Sequence, residues 1–265
     1  MATEERAPLI KWAGGKRRLL AEIRQFVPGD FGKYYEPFLG GGALFFSLLP
    51  PDARLSDSNQ DLIEMYVAVR DDVESLIRAL RRLRNCEEDY YRVRRAVPRT
   101  PAGKAARMIY LCTLSFNGIY RQNLKGEFNV PYGYKTHLKH YDIDRLREAS
   151  SQLQRREILY GDFESAVEDA QRGDLVYFDP PYTVAHGNNG FVKYNAKIFS
   201  WDDQKRLART ALRLKRLGCH VIVSNADHPS IRELYPGFEV HEIQRFSVMS
   251  ASAEFRRPVR ECLFC

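Results

Sequence analysis

At 265 residues with 44% hydrophobic side chains, the chain is long enough for one sizeable core, or one core carrying a small inserted domain. No apolar stretch approaches the ~20 residues that span a bilayer, and Met1-Ala2-Thr3-Glu4-Glu5-Arg6 lacks the basic-then-apolar order of a secretory signal; a soluble, cytoplasmic protein without membrane contact is expected. A formal charge of +7 fits a polyanionic partner without requiring one, and five scattered cysteines argue against a disulfide framework.

Lys16 to Phe26 reads as an amphipathic helix with Leu19, Leu20, Ile23 and Phe26 on one face, entered from the turn Gly14-Gly15. Tyr34-Tyr35-Glu36-Pro37-Phe38 reads as a strand and Gly40-Gly41-Gly42 as a tight turn. Ala43 to Leu49 follows as a helix stopped by Pro50-Pro51. A second strand, Ala53-Arg54-Leu55-Ser56, ends at Asp57, and another helix starts in Leu62 to Val69. This alternation predicts an α/β fold with a doubly wound parallel sheet.

Beyond it the pattern turns basic and helical, then rich in Tyr, Asn and Gly up to about Tyr141. We expect an inserted, mostly helical domain over 71–154, with 1–70 and 155–265 forming one discontinuous domain. The arginines from Arg78 to Arg84 suit a solvated helix face as well as they suit phosphate contact. Strand signals resume at Glu157 to Tyr160, Leu175 to Phe178 and His220 to Ser224, with a helix over Asp203 to Leu217. His186-Gly187-Asn188-Asn189-Gly190 is a turn cluster expected to be mobile. Cys262 and Cys265 form a C-x-x-C with no second pair or His cluster nearby, so no metal is expected.

The chemistry concentrates directly after the run Leu175 to Phe178, in Asp179-Pro180-Pro181-Tyr182. The tetrapeptide looks like the active-site loop of amino-methyltransferases. Such a reaction needs an exocyclic amine held flat, with acceptors on its N–H bonds so that the nitrogen lone pair faces an electrophilic methyl group. Asp179 can accept one N–H and the Pro180 carbonyl the other; Tyr182 can stack on the base, and both prolines fix the loop through their φ angles. An Asp before two prolines can also do no more than end a strand in a turn.

Glu36-Pro37-Phe38-Leu39-Gly40-Gly41-Gly42 lets a ligand approach the backbone at the carboxyl end of a strand, yet it lacks the G-x-G-x-x-G order that cradles a pyrophosphate. Asp57, at the next strand end, is placed for ribose hydroxyls or for capping the following helix. Lys11-Trp12-Ala13-Gly14-Gly15-Lys16 is no P-loop, since Arg17 follows the lysine and the first glycine is absent; it suits an adenine-like ring and a carboxylate.

Taken in order, Ile10 to Lys16, Glu36 to Gly42, Asp57-Ser58-Asn59, Asn117-Gly118-Ile119-Tyr120-Arg121 with Gly126 to Gly133, and Asp179 to Tyr182 resemble the Dam-type, D12-class adenine-N6 DNA methyltransferases. The resemblance covers nearly the whole chain and implies an S-adenosylmethionine-dependent methyltransferase sheet, Rossmann-like, with a target-recognition domain inserted before the strand of the Asp179 loop. It implies that Trp12, Lys16, Glu36, Phe38, the turn from Gly40 to Gly42, Asp57, Asp162 and Phe163 hold S-adenosylmethionine. Asp162 would accept from the adenine amino group and Phe163 pack on the ring, although a strand-end turn with a core aromatic is an equal reading.

Lys11, Phe116, Asn117 and Arg121 would face duplex DNA, Arg121 at a guanine edge and Phe116 as a wedge, though a Phe here is ordinarily buried. The expected activity is methylation of a flipped-out adenine, with GATC the leading recognition sequence and a cognate restriction endonuclease a possible companion. Tyr120, Gln122 and the stretch after Gly133 depart from the family pattern. N4-cytosine methylation, RNA methylation and an inactive DNA-binding protein are the alternatives.

Overall fold

The computed structural model describes residues 8–123, 126–183, 199–246 and 258–265. The turn cluster from His186 to Gly190 lies outside these residues. Among them run seven strands: β1 (Tyr34–Glu36), β2 (Ala53–Asp57), β3 (Glu157–Tyr160), β4 (Leu175–Phe178), β5 (His220–Ala226), β6 (Val240–Phe246) and β7 (Pro258–Phe264). They form one sheet in the order β3-β2-β1-β4-β5-β7-β6. β2, β1, β4 and β5 pair in parallel, while β7 is antiparallel to both β5 and β6. This is the α/β, Rossmann-like class that the alternating pattern predicts.

The chain divides into two compact units. One takes in Arg18–Leu39, Pro50–Ser58 and Gly161–Cys265. Here β4 is buried at every position, as a continuous apolar run in a covered parallel sheet must be. Val176, Phe178 and Val223 pack with Leu207, Ala211 and Leu214 of a long helix in one core. Each fully buried Leu or Phe contributes roughly 1.5 to 3 kcal/mol.

The long helix of that unit (Trp201–Leu217) opens on a capping box. Ser200 Oγ accepts from Asp203 N at 3.1 Å, and Asp203 returns the bond to Ser200 N at 2.9 Å. It closes on Gly218 at φ +93°. The cap places its start two residues before the expected Asp203.

The other unit comprises the chain up to Arg17 with Gly40–Leu49 and Asn59–Tyr160. Apart from β3 it is mainly helical: α2 (Ala43–Leu48), α3 (Gln60–Asp71), α4 (Val73–Arg81), α5 (Glu87–Arg95), α6 (Pro101–Leu114) and α7 (Ile143–Leu153). Thr100 caps α6 by accepting from Gly103 N, and eight of its residues, Tyr110 and Leu111 among them, are buried. Much of the basic run is structural. Arg107 donates to the carbonyls of Val93 and Arg94 at the end of α5, and Arg84 and Arg92 both pair with Asp89.

Three expectations change. The first helix is shorter: residues Arg17–Leu19 form a 3₁₀ turn and α1 covers only Leu20–Arg24. No side chain caps it, and Lys16, Arg17 and Arg18 put positive charge at the end where the helix dipole disfavours it. β1 stops at Glu36 because Pro37 has no N–H for the ladder. β6 and β7 were not legible as strands, since β6 is mostly polar and β7 opens on a proline and a charged pair.

All five cysteines are free thiols. No helix among the described residues is long and apolar enough to cross a membrane.

Candidate active site

β1 has β2 on one side and β4 on the other, so the strand order reverses between β1 and β4. Open sheets bind ligands in the crevice beyond the carboxyl ends of such strands. Asp179-Pro180-Pro181-Tyr182 leaves β4 there. Pro180 is buried, while Asp179 and Tyr182 remain half-buried and reachable.

Two side-chain chains hold this loop, one on each face of β5. Ser224 and Asn225 are consecutive strand residues and so point to opposite faces. On one face, Asn225 Nδ2 donates to Gln204 Oε1 at 3.0 Å, and Gln204 Nε2 donates to the Pro181 carbonyl at 3.2 Å. Gln204 and Asn225 are both fully buried. Gln204 thus uses the carbonyl of Pro181, not that of Pro180. On the other face, the Tyr182 hydroxyl donates to Glu261 Oε2 at 2.8 Å and lies 3.1 Å from Ser224 Oγ.

The tyrosines around the loop are held protonated. Burial, then the carboxylates of Glu261 and Asp179, push the Tyr182 phenol well above its ordinary pKa. Burial followed by Asp179, Glu36 and Glu261 does the same to Tyr177. Tyr34 donates to Glu36 Oε2 at 2.8 Å, and burial with that carboxylate raises it too. The loop therefore offers carboxylate and carbonyl acceptors beside a neutral aromatic ring, which is what an amine-bearing planar ligand needs.

Glu36 is buried at the end of β1, and Asp57 is the last residue of β2. The capping reading of Asp57 is replaced: Asn59 caps α3, accepting from Leu62 N at 3.1 Å, because Asn59 is the residue at the N-cap position. Phe38 stacks on Phe163 at 5.5 Å between centroids, with Phe199 edge-on to Phe38. Phe163 is buried, and the Arg206 guanidinium lies 4.9 Å over its ring. Asp162 caps the short helix Phe163–Ala166 through Glu164 N at 2.9 Å and pairs with Arg206 at 2.8 Å.

In the helical unit, Trp12 stacks on Tyr120 at 5.0 Å, with its Cδ1 2.7 Å from where a Cβ on Gly40 would stand. Gly40 and Gly42 have φ of +47° and +68°, a region glycine alone adopts at no cost, and Tyr66 donates to the Gly40 carbonyl. Lys16 is only 3% exposed, and its Nζ donates to the Gly14 carbonyl at 3.0 Å.

Phe116 departs from its ordinary reading: it is 48% exposed, on a 3₁₀ turn with Asn117 at φ +55°. Lys11 is exposed and reaches this turn beside Gly118. Tyr120 and Gln122 both donate to Asp61 Oδ2, so Arg121 between them faces away, exposed, bonding Asn129 Oδ1 at 2.9 Å. The two departures from the family pattern are thus anchors that present Arg121.

Sequence reasoning missed Gln204 and Glu261 and found no role for Ser224-Asn225. A charged residue opening the apolar run Cys262-Leu263-Phe264 was the available signal for Glu261.

Comparison with known proteins identifies the family. The profile of the D12 class N6 adenine-specific DNA methyltransferases matches residues 12–249. The type II methyltransferase M1.LlaDCHI of Lactococcus lactis subsp. cremoris is 38% identical, covering 97% of this chain and 94% of its own. The type II methyltransferase M.MjaIII of Methanocaldococcus jannaschii is 35% identical over 94% of this chain and 95% of its own. The DNA adenine methylase of Escherichia coli K12 is 31% identical over 96% and 93%. With a match that spans most of its length, the chain belongs to the D12 class of N6 adenine-specific DNA methyltransferases, enzymes that move a methyl group from a donor to adenine in DNA.

Proposed function

We propose that the donor is S-adenosylmethionine, that the target is an adenine flipped out of duplex DNA, and that the recognition sequence is GATC. The observation that carries this reading is the Asp179–Tyr182 loop, half-buried at the carboxyl end of β4 beside β1 and held from both faces of β5. Residues 71–154 serve as the target-recognition domain, and 1–70 with 155–265 as the catalytic domain.

The donor set fits the methyl donor. Asp57 offers acceptors to ribose hydroxyls, Glu36 and Asp162 further carboxylate acceptors, and Phe38 and Phe163 aromatic surface. In the helical unit, Trp12 offers a ring, Lys16 a buried ammonium for a carboxylate, and the turn from Gly40 to Gly42 close backbone approach. None of these residues builds a pyrophosphate cradle, as a nucleoside with an amino-acid tail requires.

S-Adenosylmethionine supplies an electrophilic methyl group. Asp179 and the Pro180 carbonyl accept the two N–H bonds of the target amine, which favours a tetrahedral nitrogen with its lone pair free to attack, and Pro181 fixes the loop. Tyr182 stacks on the extruded base, worth roughly 1 to 3 kcal/mol against an extrusion cost of a few. The amine proton leaves after transfer. Lys11, Phe116, Asn117 and Arg121 face the DNA, Arg121 reading a guanine edge and Phe116 filling the stack.

The test is single-nucleotide mapping of methylation in DNA from a methylase-deficient host expressing the chain. N6-methyladenine confined to GATC is the expected result. A different adenine motif overturns the recognition sequence alone, and methyl at cytosine N4 overturns the target base.

A further inference from the structure

Glu261 belongs to none of the motifs that mark this family in the sequence, yet it is 1% exposed on β7. A carboxylate is among the costliest side chains to bury and persists where donors reach it. One donor is the Tyr182 hydroxyl, at 2.8 Å from Oε2. With the phenol hydrogen directed at Glu261, Ser224, 3.1 Å from the same phenol oxygen, becomes the donor of the second bond. The bonds run Ser224 to Tyr182 to Glu261, and they pin the far end of a ring whose near end is fixed by Pro180-Pro181.

We propose that Glu261 is a positioning residue for methyl transfer, clamping the Tyr182 ring in the plane where it receives the target base. The proposal rests on the reading that Tyr182 stacks on that base. Pinning the hydroxyl fixes both side-chain torsions of the tyrosine before the base arrives, so rotamer freedom is not lost at each binding event. The sheet supplies the rigidity: Glu261 is paired to Ala226 on β5 and to Ile243 on β6, so its backbone is held from both sides.

The experiment compares wild type, Glu261→Ala, Glu261→Gln, Tyr182→Phe and the double variants in single-turnover methyl transfer. Binding of S-adenosylmethionine and of duplex is measured alongside. Glu261→Ala should slow transfer about ten- to hundredfold, the range for a bond to a charged group, while both bindings hold at wild-type level. Glu261→Gln, whose amide oxygen still accepts from the phenol, should recover most of that loss.

In the Tyr182→Phe background neither Glu261 variant should cost anything further. Multiplicative losses in the double variants, or cofactor binding that falls with the rate, overturn the clamp. If Glu261→Ala does not fold, Glu261→Gln with and without Tyr182→Phe decides in the same way. A wild-type protein that leaves adenine unmethylated overturns the parent reading and the clamp with it; an active wild type with multiplicative losses overturns the clamp alone.

Discussion

Gly118 lies so close to Lys11 that a Cβ on it would stand 2.6 Å from Lys11 Cδ, and its φ of +65° is one that side-chain-bearing residues rarely adopt. Gly118→Ala should therefore cost about 1 to 2 kcal/mol in backbone strain and displace Lys11 as well. The expected outcome is a lowered melting temperature and weakened duplex binding, with cofactor affinity unchanged. Equal loss of cofactor affinity would place this turn outside the DNA-facing surface.

Arg121→Ala should relax discrimination at one guanine by about 1 to 3 kcal/mol, measured as the ratio of methylation rates on cognate and single-substituted duplexes. The side chain is exposed and its bond to Asn129 is polar, so stability should change little. A uniform loss on all sequences would make it a phosphate contact instead.

Asp179→Ala should abolish transfer and leave cofactor binding largely intact, checked by single turnover beside equilibrium binding. The loop itself should survive, because Gln204 and Glu261 hold Pro181 and Tyr182 independently of that carboxylate.

The phenols of Tyr34, Tyr177 and Tyr182 all lie well above their ordinary pKa, burial being the largest cause for each. Unfolded phenols lose their protons above about pH 10, where the folded ones keep theirs. The unfolded state then binds fewer protons, so this stabilisation is complete below about pH 10 and is lost as pH rises beyond it. Melting temperature should fall steeply on that alkaline side, and phenolate absorbance should appear together with unfolding rather than before it.

Local chemistry decided what could be read beforehand. Asp179 to Tyr182 was legible because two prolines, a carboxylate and an aromatic ring announce both a turn and a reaction, and β4 because a covered parallel strand is apolar throughout. The first helix was overread because its apolar spacing continues where no cap supports it. Asp57 and Asn59 both look like caps in sequence, and only the folded helix start separates them. Glu261 offered one local signal, a charge opening an apolar run, but its meaning comes from Tyr182, seventy-nine positions away, through a strand whose sequence resembles a loop.

The place of β7 in the sheet also bears on how the protein is assembled. Among the described residues β6 meets the sheet only through β7, which itself lies against β5, so the last two strands form an antiparallel ribbon along one edge. Both pairings are closer in sequence than that of β1 with β4, which joins Tyr34 to Leu175 in parallel, and long-range parallel pairing is intrinsically slow. The edge carrying Glu261 is therefore expected to form before β1 and β4 bring the Asp179–Tyr182 loop to its place, and an intermediate with a finished ribbon is still a poor enzyme. Recovery of methyl transfer after dilution from denaturant should track the pairing of β1 with β4, lagging behind formation of the ribbon.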